Sequence, residues 1–275
     1  MVFIHGAWLH ASSWEPWAER FARRGFLTFT PGWPGEAPTA RAVRASPEWL
    51  GDTGLEELTG HYASFVRSFE TPPVIVGHSV GGLIAQHLIG MGLGQAAVAM
   101  APSPLNGIAI PDSGDRPWRP AANDSGDGPV SLSPEQFRRL YANTGTAEEA
   151  GALFDRYVVP VSRRVLTDLT ATDPNCHPRA VVDVDNADRG PLLLISGQED
   201  QLVPDSATRA VCKLYGDSTA VTDLKQFADR GHSLTVDNGW RRVADHVLSW
   251  LDEQGVPPFQ EEAEPALPIR AARNG

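Results

Sequence analysis

Pro73-Val74-Ile75-Val76-Gly77-His78-Ser79-Val80-Gly81-Gly82-Leu83-Ile84-Ala85-Gln86-His87 is the stretch whose reading decides the fold. It opens with the β-branched run Val74-Ile75-Val76, which has the character of a buried strand. From about Gly82 onward, Leu83, Ile84, His87 and Leu88 recur at helical spacing. Between the two lies Gly77-His78-Ser79-Val80-Gly81, a G-x-S-x-G pattern. A strand that turns straight into a helix leaves no room for side chains on either flank, so glycines are needed there. Such a turn predicts a strained backbone at Ser79, with its hydroxyl at the carboxyl edge of a sheet. The free N–H groups and the positive dipole end of the new helix then lie behind it. A serine in an ordinary βα turn is the competing reading; the strand before and the helix after favour a nucleophile.

Composition sets the bounds. The chain has 275 residues, of which 41% are hydrophobic and 21% charged, as expected of one globular α/β unit with an insertion and a large core. A net charge of -11 argues against nucleic acid or an anionic membrane as partner and favours solubility. Cys176 and Cys212 offer neither a disulfide framework nor metal-ligand spacing, so free thiols in a reducing compartment are expected, with no metal. No apolar run reaches membrane length, and Met1 leads into a strand with no basic or apolar leader; a cytoplasmic protein is expected. The oligomeric state is left open.

Along the chain, Val2-Phe3-Ile4 reads as a strand ending at His5-Gly6-Ala7-Trp8. Ser12 or Ser13 should cap a helix whose Trp14, Trp17 and Phe21 face the core, with Glu15 and Pro16 in its first turn. Phe26-Leu27-Thr28-Phe29 reads as a second strand. Leu55, Leu58, Tyr62, Phe65 and Val66 mark another amphipathic helix, and Ala96–Ala101 another strand closing at Pro102. From residue 103 to about 185 the character changes. Gly107 to Pro134 is a long excursion rich in Pro, Gly, Asp and Ser. Helical segments follow, capped by Ser133 and by Thr146 with Glu149. Their aromatics need something to cover, which favours a helical cap over a site. Pro191–Ile195 is a continuous apolar strand, Ser206–Tyr215 a helix, Val221, Leu224 and Phe227 the last strand, and Trp240–Leu251 the closing helix. Residues 1–102 and 186–255 thus form a core of about six strands, 103–185 the cap, and 256–275 a flexible tail.

A serine hydroxyl needs a base within hydrogen-bond reach, and histidine suits because its pKa lies near working pH. Among the eight histidines, His232 lies on the loop after the last strand, which a parallel sheet gathers at the same edge as the Ser79 turn. His10, His61, His87, His177 and His246 fall on helices or in the cap; His5 belongs to its turn, and His78 faces away from Ser79. Glu199-Asp200 leaves another strand at that edge. Asp200 is preferred as the partner of His232, since it sits deeper in the loop and a short carboxylate holds an imidazole more rigidly. The N–H groups of Val80 and Ala7 are the expected oxyanion donors. Trp8, Leu202 and the cap aromatics Phe137, Tyr141, Phe154 and Tyr157 are the expected pocket walls for a small or medium apolar substrate.

With His5-Gly6-Ala7-Trp8, Gly77-His78-Ser79-Val80-Gly81-Gly82, Gln198-Glu199-Asp200 and Gly231-His232-Ser233 in order, the chain resembles the α/β-hydrolase superfamily. Its nearest flavour is the bacterial serine esterases related to plant methylesterases and hydroxynitrile lyases. The motifs span residues 1 to 254 and leave out the cap. The resemblance implies a mostly parallel sheet flanked by helices, no metal or organic cofactor, and a Ser79–His232–Asp200 triad. The two antiparallel strands that usually precede the His-Gly strand are absent, so the sheet is expected to be shortened or the numbered start to lie inside a longer native chain. A serine at the turn disfavours the branches that use aspartate there. The implied activity is hydrolysis of small carboxylic esters through an acyl-enzyme. Thioesters, lactones, a lyase or cyclase using the same triad, and a non-catalytic receptor are the alternatives. The extra lysine of the hydroxynitrile lyases is not seen beside Asp200 or His232, since Lys213 and Lys225 lie on secondary elements.

Overall fold

Short apolar strands, each long enough to cross the core once, set the architecture. The computed structural model describes residues 1–105, 107–108, 128–170 and 181–258, without the side chains of Trp49 and Thr170. The expected tail beyond Pro258, Cys176, His177 and most of the Gly107–Pro134 excursion lie outside them. The strands are β1 (Val2–Ile4), β2 (Val74–His78), β3 (Ala96–Met100), β4 (Leu192–Gly197) and β5 (Thr222–Phe227). They form a parallel five-stranded sheet in the order β1-β2-β3-β4-β5. Ile4 lies opposite Gly77, Gly77 opposite Ala99, and Ala99 opposite Leu194.

The helices are α1 (Glu15–Ala22), α2 (Ala40–Ala45), α3 (Leu55–Arg67), α4 (Val80–Gly90), α5 (Pro134–Gln136, continued by a π-helical turn over Phe137–Tyr141), α6 (Ala147–Tyr157), α7 (Arg163–Thr170), α8 (Asp205–Leu214) and α9 (Trp240–Glu253). Because successive strand residues point to opposite faces, the apolar runs feed two cores. Phe3, Val76, Val98, Leu193 and Ile195 pack with Trp17 and Phe21 of α1 and Val243, Val247 and Leu251 of α9. Ile4, Ile75, Ala97, Ala99 and Leu194 pack with α3, α4 and α8, and the same cluster takes in Phe137, Tyr141, Val165 and Leu166. The helix after β1 thus covers one face and the helix after β2 the other. That reversal opens a crevice at the carboxyl ends of β1 and β2, the usual seat of a site in such sheets.

Two expectations are corrected. Phe26–Phe29 is not a strand: it contributes one parallel bridge, Val2 to Phe29, with Phe3 N–H donating to Phe29 O and Phe29 N–H to Met1 O, each at 2.9 Å. Leu27 and Phe29 stay exposed, so the segment hangs on β1 without burying the face that a full strand needs. Among the described residues the sheet therefore has five strands rather than six. The first helix is also not capped by Ser12 or Ser13. Ala11–Trp14 forms a 3-10 turn whose cap is the buried His10 ring, with Ser12 N–H donating to Nδ1 at 3.1 Å, and α1 starts only at Glu15. Ser133 and Thr146 do cap α5 and α6. The polar β5 edge, with Asp223 and Lys225, discourages further strand pairing. Among the described residues no helix is long and apolar enough to cross a membrane.

Trp17 is fully buried, meets Trp14, Phe21 and Trp240 at ring-centroid distances of 5.2, 5.8 and 6.0 Å, and donates from Nε1 to Thr235 O at 2.8 Å. Trp17→Ala should lower the free energy of unfolding by about 3–5 kcal/mol, read from urea denaturation followed by circular dichroism.

Candidate active site

The Ser79 turn is as tight as its glycines suggest. Ser79 has φ 55° and ψ -116°, a left-handed backbone that non-glycine residues avoid. A Cβ on Gly77 would lie 1.9 Å from Gly81 O, one on Gly81 2.1 Å from Ile4 O, and one on Gly6 2.7 Å from Ser79 Cβ. Strand β2, the start of α4 and the loop after β1 are therefore pressed backbone to backbone. Ser79 N–H donates to Met100 O at 2.9 Å, and its carbonyl accepts from Leu83 N–H at 3.1 Å and Ser103 N–H at 3.0 Å. Among the described residues the non-glycine residues with positive φ are Trp8 (63°), Ser79 (55°) and Ala101 (42°). They follow β1, β2 and β3 respectively, so the strain is confined to one edge of the sheet.

The expected partners of Ser79 are brought to that edge from β4 and β5. His232 Nδ1 lies 2.7 Å from Asp200 Oδ2, with both side chains fully buried. Asp200 Oδ1 accepts the N–H groups of Leu202 and Val203, each at 2.8 Å. Two backbone donors and one imidazole thus fix this carboxylate, which leaves Nδ1 of His232 as the protonated nitrogen. Glu199, the alternative acid, is exposed. His232 Nε2 is buried without a hydrogen-bond partner among the described residues.

Two neighbouring rings hold the His232 ring. Tyr141 meets it edge to face at 4.6 Å and 89°, and His78 lies at 4.7 Å and 50°. His78 Nε2–H donates to the His232 carbonyl at 2.9 Å, and Ser233 N–H donates to Tyr141 O at 2.9 Å. Burial, followed by the neighbouring His232 charge, pushes the His78 pKa well below the usual 6.5, so His78 is neutral. Burial and then the Asp200 charge raise the Tyr141 hydroxyl well above its usual 10. Sequence reasoning missed the bracing role of His78; a histidine next to the candidate nucleophile was the signal available.

A small cavity of about 50 Å³ lies over Ser79. The loops after β1 and β2 supply Ala7, Trp8, Ser79 and Val80; the loop after β3 supplies Ser103 and Pro104; Leu202 and Val203 come from the loop after β4, and Leu166 and Leu169 from α7. The N–H groups of Ala7 and Val80 donate to no acceptor among the described residues. Larger surface hollows, such as that between Arg20, Asp245 and Asp252, contain none of these groups. Of the expected pocket walls, Trp8 and Leu202 line the cavity. Phe137, Tyr141, Phe154 and Tyr157 are not in its described lining. Phe137 stacks on Tyr141 at 5.0 Å and meets Phe154 at 5.8 Å, inside the core. Tyr157 borders a separate hollow beside Pro16 and Trp240. Helical periodicity gave these rings a buried face but could not say what lay beneath it. The residues missed were Ser103, Pro104, Val203, Leu166 and Leu169; the loop after β3 could have been found by the same edge rule that located Asp200.

Behind the Ala7 loop, Glu36 lies between two imidazoles, with His5 Nε2 2.8 Å from Oε2 and His10 Nε2 3.2 Å from Oε1. Burial by itself would raise its carboxyl pKa, but His5, the Ala11 N–H and His10 together hold it below the usual carboxylate value. Trp33 stacks on His5 at 5.0 Å. Among the described residues no cluster of His, Cys, Asp or Glu is arranged to hold a metal ion.

A family model described as the alpha/beta hydrolase family matches residues 1–246, and the chain belongs to that family. No curated protein matches the sequence. Several solved structures share the fold. A methylesterase, MES16, from Arabidopsis is 19% identical with a TM-score of 0.60, covering 92% of this chain and 98% of its own. A monoacylglycerol lipase from Paleococcus ferrophilus is 20% identical with a TM-score of 0.65, covering 92% and 93%. Polyneuridine aldehyde esterase is 14% identical with a TM-score of 0.64, covering 90% and 97%.

Two outcomes follow from this geometry. Gly81→Ala should force α4 away from β1 and cost several kcal/mol, seen as a large drop in melting temperature. Since folded His78 stays neutral while the unfolded residue protonates near 6.5, the unfolded state binds more protons below that pH. Stability should therefore fall as pH drops below about 6.5, by up to about 1.4 kcal/mol per pH unit. His78→Gln should flatten that slope in melting curves recorded from pH 7 to 5.

Proposed function

We propose that this chain is a serine hydrolase cleaving carboxylic esters of small acyl groups through an acyl-enzyme intermediate. The observation that carries this reading is the strained Ser79 turn at the same carboxyl edge of the parallel sheet as a buried His232–Asp200 pair with a 2.7 Å contact. Ser79 Oγ attacks the ester carbonyl while His232 Nε2, the ring nitrogen without a partner, takes the proton. Asp200 holds the imidazole in the correct tautomer and stabilises the imidazolium. The Ala7 and Val80 N–H groups receive the developing oxyanion, a contribution of roughly 3–4 kcal/mol per donor. His232 then gives its proton to the leaving alcohol, and water releases the acid by the same steps.

The small size and apolar walls of the cavity support a short acyl group. Leu166 and Leu169 over Ser79 support reading residues 103–185 as a cap on a core formed by 1–102 and 186–255. The names carried by structures of similar fold, a methylesterase, a lipase and an esterase, agree with ester cleavage.

A fluorophosphonate should add once to the intact protein, and peptide mapping should locate the adduct on Ser79. Ser79→Ala should reduce turnover of p-nitrophenyl acetate to the uncatalysed rate, and Asp200→Asn should lower kcat by roughly 10⁴. Full turnover by Ser79→Ala would refute the assignment.

A further inference from the structure

Ser103 is a polar group in the cavity that the reaction above does not use. It is only 5% exposed and lines the space over Ser79, whose other side-chain walls include Trp8, Leu166, Leu169, Leu202 and Val203. Its N–H is committed to the Ser79 carbonyl at 3.0 Å, which ties it directly behind the nucleophile. Its hydroxyl is hydrogen-bonded to no described residue. The oxygen is accessible at the cavity surface, where a bound ligand can supply the partner that the described residues do not.

The backbone supplies an independent sign that this placement is built in. Ala101 has a φ of 42°, a conformation that costs an alanine energy, at the residue where β3 ends. Its N–H is nonetheless anchored to Ile195 O at 2.7 Å. The turn seats Pro102 against α4, where a Cβ on Gly82 would come within 3.1 Å of the Pro102 ring, and delivers Ser103 to the cavity. Strain of this kind persists where the surrounding structure over-determines it, and it clusters at ligand sites.

We infer that Ser103 is a specificity-determining residue that hydrogen-bonds an oxygen on the acyl chain next to the ester carbonyl, so that the preferred substrates are short 2-hydroxyacyl esters. This rests on the acyl-enzyme reading above. The cavity is too small for a long chain, and its described lining is apolar apart from the Ser79 and Ser103 hydroxyls and the oxyanion N–H groups. With the Ser103 N–H bonded to the Ser79 carbonyl and its side chain lining the same small cavity as Ser79, the Ser103 hydroxyl meets the acyl group close to its carbonyl carbon. A hydroxyl there gains a partner and gives one. A methyl in the same place leaves both the protein hydroxyl and its own surroundings mismatched, and sites built for a hydroxyl discriminate strongly against analogues lacking it.

Ethyl lactate and ethyl isobutyrate differ at one position, a hydroxyl against a methyl, and form the test pair in a pH-stat assay of acid release. The unaltered protein should favour lactate in kcat/KM. Ser103→Ala should lower the lactate-to-isobutyrate ratio by about ten- to a hundredfold, and Ser103→Thr, which keeps the hydroxyl, should retain the preference for lactate. Because the readout is a ratio within one protein, a general loss of folded enzyme cancels. An unchanged ratio in Ser103→Ala, or no preference in the unaltered protein, overturns the inference. If fluorophosphonate labels Ser79 but ethyl lactate is not turned over, the inference falls while the acyl-enzyme reading stands. If Ser79 is not labelled, both fall together.

Discussion

Backbone pressed against backbone is the constraint on which this structure depends. Where β2 turns into α4, Gly77 lies against Gly81 O and Gly81 against Ile4 O, at separations that leave no space for a Cβ. That contact sets α4 directly behind Ser79 and brings the loop carrying Ala7 alongside it. It requires β1 to be in register with β2, Ile4 opposite Gly77, and so depends in turn on the buried strands that build the sheet. The cost of a left-handed serine is borne by the two apolar cores on either face of that sheet.

The electrostatics follow the same economy. The carboxylate of Asp200 is buried, but it is surrounded by an imidazole and two backbone N–H groups, which is how a buried carboxylate is tolerated. Around this pair the aromatic contacts are positional: Tyr141 and His78 together hold the His232 ring. The π-helical turn that carries Tyr141 therefore belongs to the support of the candidate base, although it lies in the segment between β3 and β4 that the sequence presents as a cover. A second buried carboxylate, Glu36, holds the loop after β1 through His5 and His10.

Much of this was legible beforehand, for identifiable reasons. The β-branched run Val74–Val76 and the continuous Leu192–Ile195 run can only be strands buried on both faces. The glycines around Ser79 have one reading once a strand precedes and a helix follows. A parallel sheet collects the ends of its strands at one edge, so Asp200 and His232 could be chosen by position alone. Phe26–Phe29 misled because its composition suits a strand, whereas it meets β1 through a single bridge at Phe29 and leaves Leu27 and Phe29 exposed. Ser12 and Ser13 misled because a buried imidazole three-dimensionally fixed by Glu36 and Ala37 competes successfully for the same cap.

The sequence by itself determined the kind of sheet, the tight turn at Ser79 and the candidate groups whose loops meet at that edge, since these follow from local periodicity, steric need and strand direction. Only the tertiary structure decided what surrounds them. Phe137 and Tyr141 turn into the core, Leu166 and Leu169 come down over Ser79, and Ser103 arrives through the strained turn at Ala101. These are long-range packing outcomes: a residue's periodicity states that one face must be buried, but the partner that buries it lies far away in the chain and is fixed only when the layers close.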